Sequence, residues 1–161
     1  MANPLKRTRT PTTYAHALRS AVGAAAALGA ARLCGVADPH WAAISALVVL
    51  QSSLETSLFL SVQRLLGTAV GAAAGAAIGG FLPGSLPAFG AGVLAIGLAC
   101  AATRADQAAL RYSGITLAVV MLIPHGGSLW MTALWRFLAV SVGIAVALGV
   151  AVAWPGRRMA A

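Results

Sequence analysis

Residues 54–82 read LETSLFLSVQRLLGTAVGAAAGAAIGGFL. After Glu55 the stretch carries a single charge, Arg64, and it contains no proline. It is long enough to cross a hydrocarbon core, which takes about 20 helical residues. Gly67, Gly71, Gly75 and Gly79 recur at every fourth position and line one face of a helix. Small residues at that spacing let two helix backbones approach closely, within a chain or across a dimer. Arg64 precedes Gly67 and Gly71 at helical spacing and shares their face, so it points at other helices and away from lipid. Just upstream, Ser52-Ser53-Leu54-Glu55 has the form of a capping box, which satisfies the free amides at a helix start.

Five further apolar segments flank this one: Thr13–Gly35, Trp41–Ser52, Leu86–Thr103, Gln107–Pro124 and Ser128–Trp154. Asp38-Pro39, Pro83-Gly84, Arg104 to Asp106, and Pro124 with Gly126-Gly127 separate them. The second and fifth segments are short and are expected to stop inside the membrane. Composition agrees. The 161 residues are 60% hydrophobic and 9% charged, with a mean hydropathy of +0.87. Soluble domains carry about 25% charged residues, so this chain lacks the charge to cover a water-soluble globule. The expected fold is an all-α polytopic membrane protein with six transmembrane helices in residues 13–155. Cytoplasmic tails would be residues 1–12 and 156–161.

The net charge of +8 does not indicate a nucleic-acid binder, because the basic residues are scattered among apolar runs. It sets orientation instead. With the N-terminus inside, Lys6, Arg7, Arg9, Arg104, Arg111, Arg157 and Arg158 flank the cytoplasmic side, and only Arg32 lies opposite. That asymmetry obeys the positive-inside rule and puts both termini in the cytoplasm. The first segment resembles a signal peptide, but Arg19 and Arg32 bracket a weak core, so an uncleaved span is expected. Cys34 and Cys100 fall toward opposite faces, show no metal-ligand spacing and read as packing residues.

Shifted by 72 residues, the chain matches itself without gaps. Arg32 falls on Arg104, Arg64 on Arg136, and Gly71 on Gly143. Each half, about 13–82 and 86–154, holds three segments. An odd number inserts the halves in opposite senses, giving a 3+3 inverted repeat of the kind common in transporters. Arg64 then lies roughly 13 Å from one face at about 1.5 Å per residue, and Arg136 a similar depth from the other.

An arginine at that depth costs about 2.5–3.5 kcal/mol on insertion scales. The chain has only three carboxylates, Asp38, Glu55 and Asp106, and cannot pair Arg19, Arg64, Arg111 and Arg136 by itself. An anionic substrate, lipid phosphates, helix C-terminal carbonyls or water must supply the rest. Snorkelling to headgroups suits Arg19 and Arg111 better than the deep pair. Thr68, Gln51, Gln63, Ser45 and Ser113 either line a path or bond to a neighbouring helix. His40 beside Trp41 is either an interfacial anchor or a contact for an aromatic carboxylate. No HExxH, GxSxG, Walker loop or carboxylate pair is present, so no enzyme and no cofactor are expected.

Trp41-Ala42-Ala43-Ile44-Ser45-Ala46-Leu47-Val48-Val49-Leu50-Gln51, followed by Arg64-Leu65-Leu66-Gly67-Thr68-Ala69-Val70-Gly71, resembles the signature of the fusaric-acid-resistance-like membrane domain. That group includes aromatic acid exporters and is related to aluminium-activated malate transporters. Arg136, Gly143 and Trp154-Pro155 resemble its last span. The resemblance covers about residues 14–158. It implies a six-span domain in the bacterial inner membrane that moves small organic anions, often aromatic carboxylates, out of the cell. Larger members add a soluble cytoplasmic domain; a single six-span unit is expected to pair as a homodimer. Arg64, Gly67, Thr68 and Gly71 match the motif. The expected substrate contacts are Arg64, Arg136, Arg111, Arg19, Thr68, Gln51, Trp41 and His40. The expected packing residues are Gly67, Gly71, Gly75, Gly79 and Gly143. The rival reading is a non-transporting membrane subunit that partners another protein.

Overall fold

The computed structural model describes residues 14–50, 54–123 and 126–154. Within them the chain forms six helices: α1 (Tyr14–Leu33), α2 (His40–Val49), α3 (Leu54–Phe81), α4 (Leu86–Ala102), α5 (Gln107–Leu122) and α6 (Leu129–Ala153). Gln51, the capping box serines and both tails lie outside the described residues. Of the helices, α3 and α6 are long and apolar enough to cross a membrane. At about 1.5 Å per residue, α2 with 10 residues and α5 with 16 are too short to span a core of about 30 Å.

Local chemistry sets the helix ends. Ser85 caps α4, its Oγ accepting from the Ala88 amide at 3.4 Å. Asp106 caps α5, its Oδ1 accepting from the Ala108 amide at 2.8 Å. Helix α1 ends with Gly35 at φ +67°, and the Val36 amide donates back to the Ala31 carbonyl. Helix α4 ends the same way: the Ala105 amide donates to the Cys100 carbonyl. There the left-handed position is held by Arg104 at φ 53°. A non-glycine residue in that region costs about 1–2 kcal/mol. Arg104→Gly is therefore expected to stabilise the fold by about 1 kcal/mol, seen as a higher thermal unfolding midpoint in detergent.

Helices α3 and α6 form the centre. Helix α5 packs on α3, α2 on α6, α1 against α2 and α6, and α4 against α5 and α3. Each contacting pair maps onto another when helix numbers are advanced by three. Burial follows the same mapping. All eight buried residues of α6, shifted back by 72, fall on buried positions of α3, among them Arg136 on Arg64 and Gly143 on Gly71. The five buried residues of α5 fall on buried positions of α2 and its C-cap Leu50, but at a shift of 71, which sets Tyr112 on Trp41 and Thr116 on Ser45. The hydroxyls act alike: Ser45 Oγ donates to the Trp41 carbonyl at 2.7 Å and Thr116 Oγ1 to the Tyr112 carbonyl at 2.9 Å. Helices α1 and α4 agree at 69, setting Gly35 on Arg104. The match of Arg32 with Arg104 at 72 is thus a coincidence of sequence, and the ungapped register holds for α3 and α6 alone.

The glycine stripe of α3 seats α5. A Cβ on Gly67 would meet the Ala109 carbonyl at 2.8 Å, and one on Gly71 would press into the Ser113 carbonyl. On Gly75 it would meet Val120 at 3.0 Å, and on Gly79 Leu129 at 3.1 Å. In α6, Gly143 lies equally close to the Ala42 carbonyl of α2. The exterior is apolar: Leu58, Val62, Leu66 and Val70 on α3, Leu94 and Leu98 on α4, and Trp130 and Leu134 on α6 are exposed. That is the surface expected where the solvent is lipid.

Candidate functional site

Helices α2 and α5 do not touch each other. Between them, above α3, lies a cleft of about 530 Å³ lined by Trp41, Ile44, Val48, Leu60, Arg64, Arg111, Tyr112 and Ile115. Its lining holds two guanidinium groups, two aromatic rings and no carboxylate.

Arg64 forms the base and reaches both walls. Its Nε donates to Ser45 Oγ on α2 at 3.1 Å, and its guanidinium carbon lies 5.0 Å from the Tyr112 ring centroid on α5. A cation over an aromatic face within about 6 Å is attracted to the ring. Arg64 is buried at 6% exposure, yet no carboxylate is bonded to it among the described residues. Neutral contacts hold the head in place and leave its charge uncompensated. Arg111 is exposed at the edge of the cleft.

Ser45 is the polar acceptor for a buried cation, and losing it leaves a charged donor unsatisfied. Such a loss costs about 1–3 kcal/mol. Ser45→Ala is expected to lower the thermal midpoint of the purified protein by that amount. An unchanged midpoint would show that Arg64 has another acceptor.

Arg136 does not line the cleft. It lies behind Trp41, its guanidinium carbon 3.0 Å from the indole centroid. It is buried at 3% exposure, and its Nε and Nη1 have no hydrogen-bond partner among the described residues. Arg64 and Arg136 thus occupy equivalent positions in their helices and differ in state: one is bonded and faces the cleft, the other is shut under a ring.

The other expected contacts separate from this centre. Thr68 is buried one turn past Arg64 on α3. His40 is exposed, its ring 5.3 Å from that of Trp41 at a tilt of 44°. Arg19 is remote in the fold, its Nη1 donating to the Trp154 carbonyl at the end of α6 at 3.3 Å. A helix C-terminus favours a cation, and this contact ties α1 to α6. Tyr112, which lies against Arg64, is a cleft residue that sequence reasoning missed. Its signal was present: an aromatic directly after Arg111, at the position in α5 that Trp41 holds in α2.

An all-helical chain with an apolar exterior, two membrane-length helices and a buried cationic cleft is a membrane protein. A sequence model of the fusaric acid resistance protein-like family matches residues 24–150, most of the chain. The chain belongs to that family, whose members have membrane transport or efflux-related roles. No curated protein and no solved structure matches it. The family match includes the Trp41 to Gln51 and Arg64 to Gly71 segments from which the resemblance was read.

Proposed function

We propose that this protein is a transporter or channel for small organic anions, and that the anion enters the cleft between α2 and α5. The observation that carries this reading is the lining itself. Arg64 and Arg111 share a space of about 530 Å³ with Trp41 and Tyr112, and no acidic side chain competes for their charge. Ligand pockets of about 300–1,000 Å³ with an apolar wall and few polar groups take small molecules. Here a carboxylate is held by the guanidinium of Arg64, with Arg111 drawing it in from the edge. A flat apolar or aromatic body packs between the two rings. Aromatic carboxylates fit this description, in line with the family resemblance.

The finer topology belongs to this proposal. Residues 13–155 form one membrane domain, inserted as two inverted halves, 13–82 and 86–154, with both termini in the cytoplasm of a bacterial inner membrane. The helix-by-helix correspondence of burial supports the repeat. Loop charge supports the orientation, which opens the Arg111 edge of the cleft to the cytoplasm. Helices α2 and α5 each end within the bilayer, in keeping with their lengths. Two chains pair as a homodimer, as the resemblance implies.

The test is uptake of radiolabelled benzoate by liposomes containing the purified protein, against protein-free liposomes. Saturable uptake supports the proposal. Absence of uptake with retained thermal stability would favour the rival reading of a subunit that serves a partner.

A further inference from the structure

The buried residues of α6 all fall on buried positions of α3, yet the buried arginines of the two helices do not share one state. Arg64 Nε donates to Ser45 Oγ, while Nε of Arg136, its counterpart, has no partner among the described residues. Thr116 is the counterpart of Ser45 and is buried on α5, its hydroxyl bonded only within its own helix at 2.9 Å. Tyr112 stands 5.0 Å from Arg64, whereas Trp41 presses to 3.0 Å on Arg136. One arginine–aromatic pair is looser and borders a cleft; the other is closed.

The residues around the cleft sort the same way. Trp41 exchanges with Tyr112, and Ile44 with Ile115, so these serve both halves. Val48, Leu60, Arg64 and Arg111 are one-sided. Their counterparts are Val119, Thr132, Arg136 and His40. Of the second set, His40 lies beside Trp41, the ring that covers Arg136.

We propose that the protein alternates between this state and a second one in which the halves exchange roles. In the second state Trp41 parts from Arg136, the Arg136 Nε donates to Thr116 Oγ1, and Tyr112 closes on Arg64 as Ser45 lets go. The cleft then opens beside Arg136, Val119 and His40, toward the opposite membrane face. Inverted repeats transport in this way, by rocking of equivalent halves about a fixed site. The buried Nε of Arg136, without a partner among the described residues, is a donor that this state leaves unsatisfied and the other satisfies. The inference rests on the anion reading for its purpose but not for its geometry. The second opening is the binding station for the same carboxylate, with Arg136 in the place of Arg64 and His40 in that of Arg111.

The test uses single cysteines at Val48 and Val119, with Cys34 and Cys100 replaced by alanine. A membrane-impermeant methanethiosulfonate without net positive charge is applied to intact cells and, separately, to inside-out vesicles. Cysteine at 48 is expected to react from one face only and cysteine at 119 from the other only. Thr116→Val removes the acceptor that holds the second state. It is expected to slow labelling at 119 by about tenfold, the size of one charge-assisted hydrogen bond, and to leave labelling at 48 as fast or faster. A merely structural defect would move both rates together. Labelling of both positions from one face, or an unchanged rate at 119 in Thr116→Val, overturns the proposal. The labelling needs no anion. If the opposed pattern holds and benzoate alters neither rate, alternation stands and the anion reading falls. If benzoate protects position 48 while position 119 never reacts, the anion reading stands and alternation falls.

Discussion

Arg64→Gln is expected to abolish benzoate flux in proteoliposomes while the protein still folds and inserts. Arg64 is the cation at the base of the cleft, held by Ser45 at 3.1 Å and by the Tyr112 ring at 5.0 Å. Glutamine keeps a polar head that Ser45 can meet, and it removes the charge. A hydrogen bond to a charged group contributes about 1.5–3 kcal/mol, which is about a tenfold to hundredfold change in affinity. The effect on flux is larger. Without the charge a carboxylate entering the cleft exchanges its water for an apolar wall, and an ionised group costs far more to bury than a neutral one. Arg111→Gln is expected to be milder, because Arg111 is exposed at the edge. It should raise the half-saturating concentration, with a loss that shrinks at high salt as exposed charges are screened. Flux that persists in Arg64→Gln would remove Arg64 from the path.

Gly71→Val is expected to leave no folded protein. The Cβ of any residue at 71 would press into the Ser113 carbonyl, and that neighbour is backbone, not a flexible side-chain tip. Overpacking a close contact costs about 1–3 kcal/mol even where side chains relax, and stability in total is about 5–15 kcal/mol. Alanine at 71 should be strongly destabilised and valine should fail to accumulate. Gly143→Ala should behave like Gly71→Ala, since its Cβ would meet the Ala42 carbonyl as closely. Gly29 is the control. It is helical with nothing within 4 Å of its would-be Cβ, so Gly29→Ala should be neutral or stabilising by about 0.5–1 kcal/mol. Equal tolerance at 29 and 71 would contradict the seating of α5 on the α3 stripe.

Much of this architecture was legible in the chain. Apolar segments and their Pro, Gly and charge breaks place all six helices within a few residues of their observed ends. The spacing of Arg64 with Gly67 and Gly71 puts the arginine on a packing face, where it is buried. The sequence left open what that face meets. A four-residue glycine repeat serves a dimer as well as a neighbour within the chain, and only the contacts of Gly67 and Gly71 with Ala109 and Ser113 decide for α5.

The correspondence of burial between α3 and α6 was legible in the shift of 72 residues, which the other helices do not share. A single shift of 72 suits α3 and α6, the two long helices, but connector lengths differ between the halves. Helix α5 has 16 residues against 10 in α2, and the short helices fall out of that register. The pairing of Trp41 with Tyr112 was hidden by a one-residue offset that the shift of 72 does not reveal. The site was legible in its charges and not in its neutral parts. A shortage of acids singles out Arg19, Arg64, Arg111 and Arg136 alike, of which Arg64 and Arg111 line the cleft, whereas Ser45 and Tyr112 look like any polar or aromatic residue in an apolar segment until the helices are assembled. Arg19 illustrates the converse. Its place in an apolar helix resembles that of Arg64, and its contact with the Trp154 carbonyl depends on the far end of the chain.

The central claim is that the Arg64–Arg111 cleft holds a carboxylate. The most direct measurement is equilibrium binding of radiolabelled benzoate to the detergent-purified protein and to Arg64→Gln. The account predicts saturable binding to the native chain, displaceable by other aromatic carboxylates but not by benzamide, which lacks the charge. It predicts binding weakened at least about tenfold in Arg64→Gln. Equal binding by the two proteins, or equal competition by benzamide, would contradict it.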